Sequence, residues 1–184
     1  MSKPRIIGGL AKGRSLDTPR QGTRPSPARL REALFDKLEF HERGAFLDLY
    51  SGTGAMGLEA ASRGWTSTCV DLGKEAATII RKNARALKLN VTTVQADALK
   101  YVQGKPQSFD IVFAAPPYPL ELMPIFQTIF DSGIAKQDGL YIFQHPTQLE
   151  LKLKTDLTIT VDSRKYGSNV LTYVSVNLAQ QNSA

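Results

Sequence analysis

Three aspartates end short apolar or β-branched runs: Asp48 after Phe46-Leu47, Asp71 after Thr66 to Val70, and Asp97 after Val91 to Gln95. Asp71 lies 23 residues beyond Asp48. A carboxylate is a hydrogen-bond acceptor, and carboxylates at strand ends suit the hydroxyls and amine of a nucleoside. After Asp48 comes Leu49-Tyr50-Ser51-Gly52-Thr53-Gly54-Ala55-Met56-Gly57, then the helix-favouring Leu58, Glu59, Ala60 and Ala61. This reads as a strand, a tight glycine turn and a helix opening, where the backbone can approach a ligand closely. We expect Asp48, Ser51, Gly52, Thr53 and Gly54 to line a cofactor. Asp71, with Leu72 beside it, would take ribose hydroxyls, and Asp97 an adenine amino group, with the Ala98 amide as a nearby donor. The loop has no Gly-x-x-x-x-Gly-Lys phosphate cradle. Its Gly-x-Gly-x-x-Gly spacing from 52 to 57 also permits NAD, so a dehydrogenase stays open at this point.

The elements around these residues alternate. Helices are expected over Ala28 to Phe40, Gly57 to Arg63, Lys74 to Leu87 and Leu120 to Phe130. Strands are expected at 45–49, Thr66 to Asp71, Val91 to Gln95, Asp110 to Ala114 and Leu140 to Gln144. Ser26, ahead of Pro27, reads as the N-cap of the first helix. The rhythm implies an α/β fold with a mostly parallel sheet and helices on both faces. Thr158 to Asp162 and Val170 to Val176 should close it as an antiparallel hairpin. Residues 3–22 read as a small hairpin that presents its arginines and stays out of the core. Gln180 to Ala184 should fray.

At 184 residues and 42% hydrophobic content the chain suits one domain with a sizeable core, taken as 1–184. No apolar run reaches membrane-spanning length and the start shows no secretory pattern. A single cysteine, Cys69, excludes an internal disulfide, and with only His41 and His145 besides it no metal site is expected. The cytoplasm is the expected compartment. Cys69, Met56 and Trp65 read as packing residues and His145 as structural. Net charge is +6, and residues 1–31 carry eight lysines and arginines against Asp17 alone. We therefore expect residues 1–26 to be a basic extension that contacts a polyanion, with Arg5, Lys12, Arg14, Arg24, Arg29 and Arg31 as the candidate phosphate contacts.

The turn after the fourth strand, Ala115-Pro116-Pro117-Tyr118, separates the alternatives. It resembles the turn of amino-methyltransferases that carry Asp-Pro-Pro-Tyr or Asn-Pro-Pro-Tyr there. More narrowly, the chain resembles the RsmD family from about residue 3 to 176. The resemblance rests on Arg5-Ile6-Ile7-Gly8-Gly9, Lys12-Gly13-Arg14, Arg24-Pro25-Ser26 leading to Arg29 through Phe35, and Asp48 through Glu59. It continues in Ser62-Arg63-Gly64, Asp97-Ala98, Pro116-Pro117-Tyr118 and Lys165-Tyr166-Gly167. It implies a class I methyltransferase, Rossmann-like, with a seven-stranded sheet. The implied activity is S-adenosylmethionine-dependent methylation of a guanine N2 amine in bacterial 16S ribosomal RNA. The implied partner is that RNA or the 30S subunit, and a monomer is expected. Pro116 would offer its carbonyl to the target amine and Tyr118 would stack on the flipped base.

One position departs from the pattern. Ala115 stands where the family has aspartate, and a methyl group accepts no hydrogen bond. Gln144, before His145-Pro146, likewise stands where an acidic residue is common. A slow enzyme, a relative that binds cofactor and RNA without turnover, and a deliberately introduced alanine all fit. An adenine-N6 DNA methyltransferase is a further alternative, although the chain offers no evident target-recognition domain.

Overall fold

The computed structural model describes residues 3–20 and 25–177. The chain divides into two compact units, Met1–Ala98 and Leu99–Ala184. The first contains α1 (Ala28–Lys37), β1 (Ala45–Leu49), α2 (Ala55–Ser62), β2 (Thr66–Asp71), α3 (Lys74–Ala86) and β3 (Val91–Gln95). Its strands run in the order β3-β2-β1 and are parallel throughout. Every residue of α2 is buried, so this helix of small residues serves as core. By contrast α3 is amphipathic: Ala76, Ala77, Ile80 and Ala84 are buried while Lys82 and Arg85 face water.

A short helix α4 (Ala98–Tyr101), which the sequence reading does not anticipate, follows β3. The second unit then holds β4 (Phe109–Ala114), α5 (Leu122–Asp131), β5 (Ala135–Pro146), β6 (Ile159–Tyr166) and β7 (Asn169–Val176). β4 and β5 are parallel, whereas β5-β7 and β7-β6 are antiparallel. A crossover through α5 allows the first arrangement, and a tight Gly167-Ser168 hairpin turn sets the last.

Five expectations need correction, the simplest being β6, which runs four residues past its expected end at Asp162 to Tyr166. α1 ends at Lys37, three residues short of Phe40, which is 95% exposed. The Arg43 guanidinium holds the turn that follows: it donates to the carbonyls of the C-cap Leu38, of Glu39 and of His41 at 3.2, 2.8 and 2.7 Å. The N-cap of α1 is Pro27, and Ser26 contributes its backbone carbonyl to Arg31 Nε instead of capping. β5 begins five residues before its expected start, because Ala135 pairs with Phe109 across an irregular register. Most consequentially, the basic extension is not peripheral to the core.

Arg5 and Ser15 do form an antiparallel bridge. Yet Ile6, Ala11 and Leu16 are buried in one cluster with Ala55, Leu58 and Ala84. Gly9, at φ +79°, lies so close to α2 that a Cβ there would stand 1.9 Å from the Ser62 carbonyl oxygen. Three apolar residues spaced five apart bury one edge of the segment while its arginines face out. The expected fraying of Gln180 to Ala184 falls outside the described residues.

Candidate functional site

In the first unit the aspartates are staggered. Asp48 sits level with Cys69, two residues before the end of β2, so Asp71 ends its strand further out. Asp48 is 1% exposed, and its Oδ2 accepts from Ser51 Oγ at 2.7 Å and from the Gly57 amide at 3.0 Å. The N-cap of α2 is Gly54, which has no side chain to offer. Asp48 reaches over from β1 and satisfies one of the helix's free amides, while Thr53 Oγ1 accepts from the Ala55 amide at 3.2 Å. Burial pushes the Asp48 carboxyl up to about 7, against the opposing pull of the Ser51 and Gly57 hydrogen bonds. Asp48 organises the loop from beneath.

The glycine at 57 is required by close approach. A Cβ there would lie 2.2 Å from Cys69 Sγ and 3.2 Å from Asp48 Oδ2, so only glycine lets α2 pack against β2. Cys69, Met56 and Trp65 are buried, as packing residues should be. Burial, followed by the charge of Asp48, pushes the Cys69 thiol upward, away from any reactive thiolate.

Asp71 is differently placed. Its Oδ2 accepts from the Gly52 amide at 2.8 Å and its Oδ1 from the Gly73 amide at 2.8 Å. Each oxygen retains a further lone pair, and the residue is only half-buried. Leu72 next to it is 68% exposed, an apolar surface beside a polar acceptor. Asp97 is half-buried just beyond β3, and the buried Ala98 opens α4. Its charge helps raise the phenol of Tyr50 to about 12, after burial as the larger cause. Tyr50 itself adopts φ +59° as β1 gives way to the loop. The loop from 51 to 57 carries no lysine or arginine. These carboxylate acceptors fit the donor hydroxyls and amine of a nucleoside, and a loop without basic residues disfavours a pyrophosphate.

A feature that sequence reasoning missed binds the basic extension to this loop's helix. Glu59 is fully buried in α2. Its carboxylate receives the amides of Ile7 and Gly8 at 2.9 and 3.0 Å, Arg31 Nη1 at 3.0 Å and Arg63 Nε at 3.0 Å. Ser62 adds to it, accepting from the Ala11 amide and donating to the Gly8 carbonyl. The signal was a single acid in the otherwise small and apolar run Ala55 to Ala61. Arg31, 1% exposed, is thereby removed from the candidate RNA contacts. Arg5, Lys12, Arg14 and Arg29 are exposed, and Arg24 lies outside the described residues.

In the second unit, Ala115 follows β4 half-buried, Pro116 is buried, and Pro117 and Tyr118 are exposed. The Tyr118 hydroxyl donates to Asn169 Oδ1 and accepts from Gln144 Nε2 at 3.4 Å. Neither Asn169 nor this tie to Gln144 was legible in the sequence, since the three residues lie on separate elements. His145 is 2% exposed; its Nδ1 meets the Pro146 carbonyl at 3.0 Å and its Nε2 the Thr172 hydroxyl at 2.7 Å. With the Nδ1 proton given to the carbonyl, Nε2 accepts from Thr172, which in turn accepts from Ser163 at 2.8 Å. Burial lowers the His145 pKa and keeps the ring neutral, in keeping with a structural role. Asp110, near the start of β4, is paired with Lys136. Among the described residues no cluster of three metal-ligating side chains occurs.

Comparison with known proteins agrees with this architecture. Residues 4–175 match the family model described as Conserved hypothetical protein 95. The chain is 31% identical over 156 residues to Ribosomal RNA small subunit methyltransferase D of Buchnera aphidicola subsp. Acyrthosiphon pisum, covering 80% of this chain and 81% of that one. The protein of the same name from Escherichia coli K12 is 36% identical over 118 residues, 62% of this chain and 60% of its own length. The solved structure of hypothetical protein TTHA0928 from Thermus thermophilus superposes with a TM-score of 0.84 at 40% identity, covering 94% of this chain and 99% of that one. A mixed seven-stranded sheet flanked by helices and closed by an antiparallel hairpin is the class I methyltransferase fold. The chain belongs to the RsmD family of methyltransferases.

Proposed function

We propose that the protein transfers a methyl group from S-adenosylmethionine to the N2 amine of a guanine in bacterial 16S ribosomal RNA. The reading is supported by relatives named for methylation of small-subunit ribosomal RNA. The observation that carries it is the pair of half-buried carboxylates, Asp71 and Asp97, beyond parallel strand ends beside a loop free of basic residues. Asp71 and Leu72 would hold the ribose and one adenine face. Asp97, with the Ala98 amide, would read the adenine edge, and Gly52 and Gly54 would admit the amino-acid portion. When bound, the cofactor supplies an electrophilic methyl on a sulfonium.

This chain's own part is to bind, orient and exclude water. Tyr118 would stack on the flipped base and the Pro116 carbonyl would accept one N–H of its exocyclic amine, aiming the nitrogen lone pair. The methylated amine would lose its proton to solvent, so no strong base is needed from this chain. Arg5, Lys12, Arg14 and Arg29, with Arg24, would hold RNA phosphates. Residues 1–184 would act as a single methyltransferase domain, as a monomer, in the cytoplasm, and without a metal.

Ala115 favours a second reading, a relative that binds cofactor and RNA without efficient turnover. A single experiment separates the two. Calorimetric titration with S-adenosylmethionine and with NAD is paired with labelled methyl transfer to 30S subunits lacking the modification. Binding of the first ligand alone, with incorporation, supports the enzyme. Binding with no incorporation supports the second reading, and binding of NAD alone overturns both.

A further inference from the structure

The position left empty by Ala115 has a neighbour that does carry an acceptor. β4 and β5 are parallel with Ala114 level with Phe143, so Ala115, the first residue past β4, comes beside Gln144, while β5 runs on to Pro146. The Gln144 amide is held in one orientation. Tyr118 commits its hydroxyl proton to Asn169 Oδ1 and so can only accept from Gln144, which turns Nε2 toward the phenol. Gln144 Oε1 is withdrawn from water and has no hydrogen-bond partner among the described residues. Buried polar atoms are nearly always paired, so an orphan acceptor next to a binding turn asks for a donor.

Resting on the guanine-N2 reading above, we infer that Gln144 Oε1 is the second acceptor for the target amine, taking over the role that residue 115 cannot fill. The amine carries two N–H donors. One goes to the Pro116 carbonyl and the other to Gln144, and together they leave the nitrogen lone pair free. Tyr118 sits on an exposed turn and is 39% exposed, so its ring can meet a base while its hydroxyl keeps Gln144 Nε2 in place. A neutral amide polarises the amine less than a carboxylate does, so the compensation is partial. Exchanging aspartate at 115 for glutamine at 144 moves the acceptor by one strand and keeps it on the same sheet end.

A double-mutant cycle tests this. Single-turnover methyl transfer to undermethylated 30S subunits is measured at saturating S-adenosylmethionine for the unaltered chain, Gln144→Leu, Ala115→Asp and the double variant. Gln144→Leu should slow transfer by about 10- to 100-fold, below the loss of about 100- to 1000-fold seen for an oxyanion-hole donor, because no full charge is held. Subunit affinity should change by less than about threefold, since the contact tightens in the transition state. Ala115→Asp should raise the rate by no more than about tenfold on its own but by about 100-fold or more in the Gln144→Leu background, as expected of two groups sharing one role. Gln144→Glu should retain activity.

An unchanged rate in Gln144→Leu, or an equal gain from Ala115→Asp in both backgrounds, overturns the inference while leaving the enzyme reading standing. Cofactor binding with no transfer by any of the four chains overturns that reading and the inference with it. Circular dichroism checks folding. Should Gln144→Leu not fold, Gln144→Met, unbranched and of similar length, takes its place in the cycle with the same expected and overturning results.

Discussion

The Arg31 guanidinium donates to the Glu59 carboxylate over 3.0 Å with both side chains all but removed from water. Burial lowers the Arg31 pKa and the charge of Glu59 raises it, so each ion depends on the other. Glu59 also collects the amides of Ile7 and Gly8, which makes it the anchor of the basic segment on α2. We expect Glu59→Leu to cost about 3–5 kcal/mol, because it leaves Arg31 buried and unpaired. For a chain of this size that lowers the melting temperature by roughly 10 °C, read by scanning calorimetry. The double variant Arg31→Met with Glu59→Leu should recover much of the loss.

Exposed bases of the same segment should behave in the opposite way. Lys12→Ala and Arg14→Ala are expected to leave stability within about 0.5 kcal/mol. Each should reduce the slope of log affinity against log salt for RNA by roughly 0.7 to 0.9, if each side chain neutralises one phosphate. Filter binding across a salt series reads that slope. A parallel loss of affinity with no change in slope would deny them the phosphate contact.

The raised pKa of Asp48, about 7, sets a pH signature. Between the ordinary aspartate value near 4 and about 7, the folded protein holds a proton that the unfolded chain has released. Stability from this group is therefore complete at low pH and falls as pH rises through that window, by up to about 1.4 kcal/mol per unit. His145, whose pKa is lowered by burial, acts in the other direction, costing stability as pH drops below its unfolded value. Denaturant titrations of the native chain and Asp48→Asn from pH 4 to 8 separate them. The difference between the two chains should shrink toward acid and widen toward neutrality.

The contact between Gly57 and Cys69 predicts an interaction term. Gly57→Ala places a methyl group 2.2 Å from Cys69 Sγ and should destabilise by more than the 1–3 kcal/mol or so typical of an overpacked core. Adding Cys69→Ala removes the obstructing sulfur and should return at least about half of the loss, a non-additivity readable by urea unfolding.

Most of the sheet was legible because its strands follow simple patterns. Thr66–Asp71 and Val91–Gln95 appear with the bounds their β-branched runs imply. The end of α1 is not legible, because the apolar spacing continues to Leu38 and Phe40 while the turn after Lys37 is held by Arg43, a residue further on. Nor is the burial of Ile6 and Leu16, because a short glycine-broken run carries no period long enough to show a buried face. The glycine turn between β1 and α2 could be read from its spacing. The different burial of Asp48, enclosed, and Asp71, half-buried, could not, since it depends on a two-residue stagger in register. The meeting of Tyr118, Gln144 and Asn169 is tertiary, and no spacing announces it.

The cofactor half of the site gives its own prediction. Asp71→Ala removes the acceptor proposed for the ribose and frees the Gly52 and Gly73 amides. Affinity for S-adenosylmethionine should fall by about 10- to 100-fold, corresponding to the loss of hydrogen bonds to a charged group. Isothermal titration calorimetry measures it, and an unchanged affinity would remove Asp71 from the site.

The central claim is tested most directly by locating the transferred methyl group. Undermethylated 30S subunits are incubated with the protein and S-adenosylmethionine, and the 16S RNA is digested to nucleosides for mass spectrometry. The account predicts N2-methylguanosine approaching one per subunit, lost when Tyr118→Ala removes the stacking ring. A methyl group on adenine or on a ribosomal protein, or none despite bound cofactor, would contradict it.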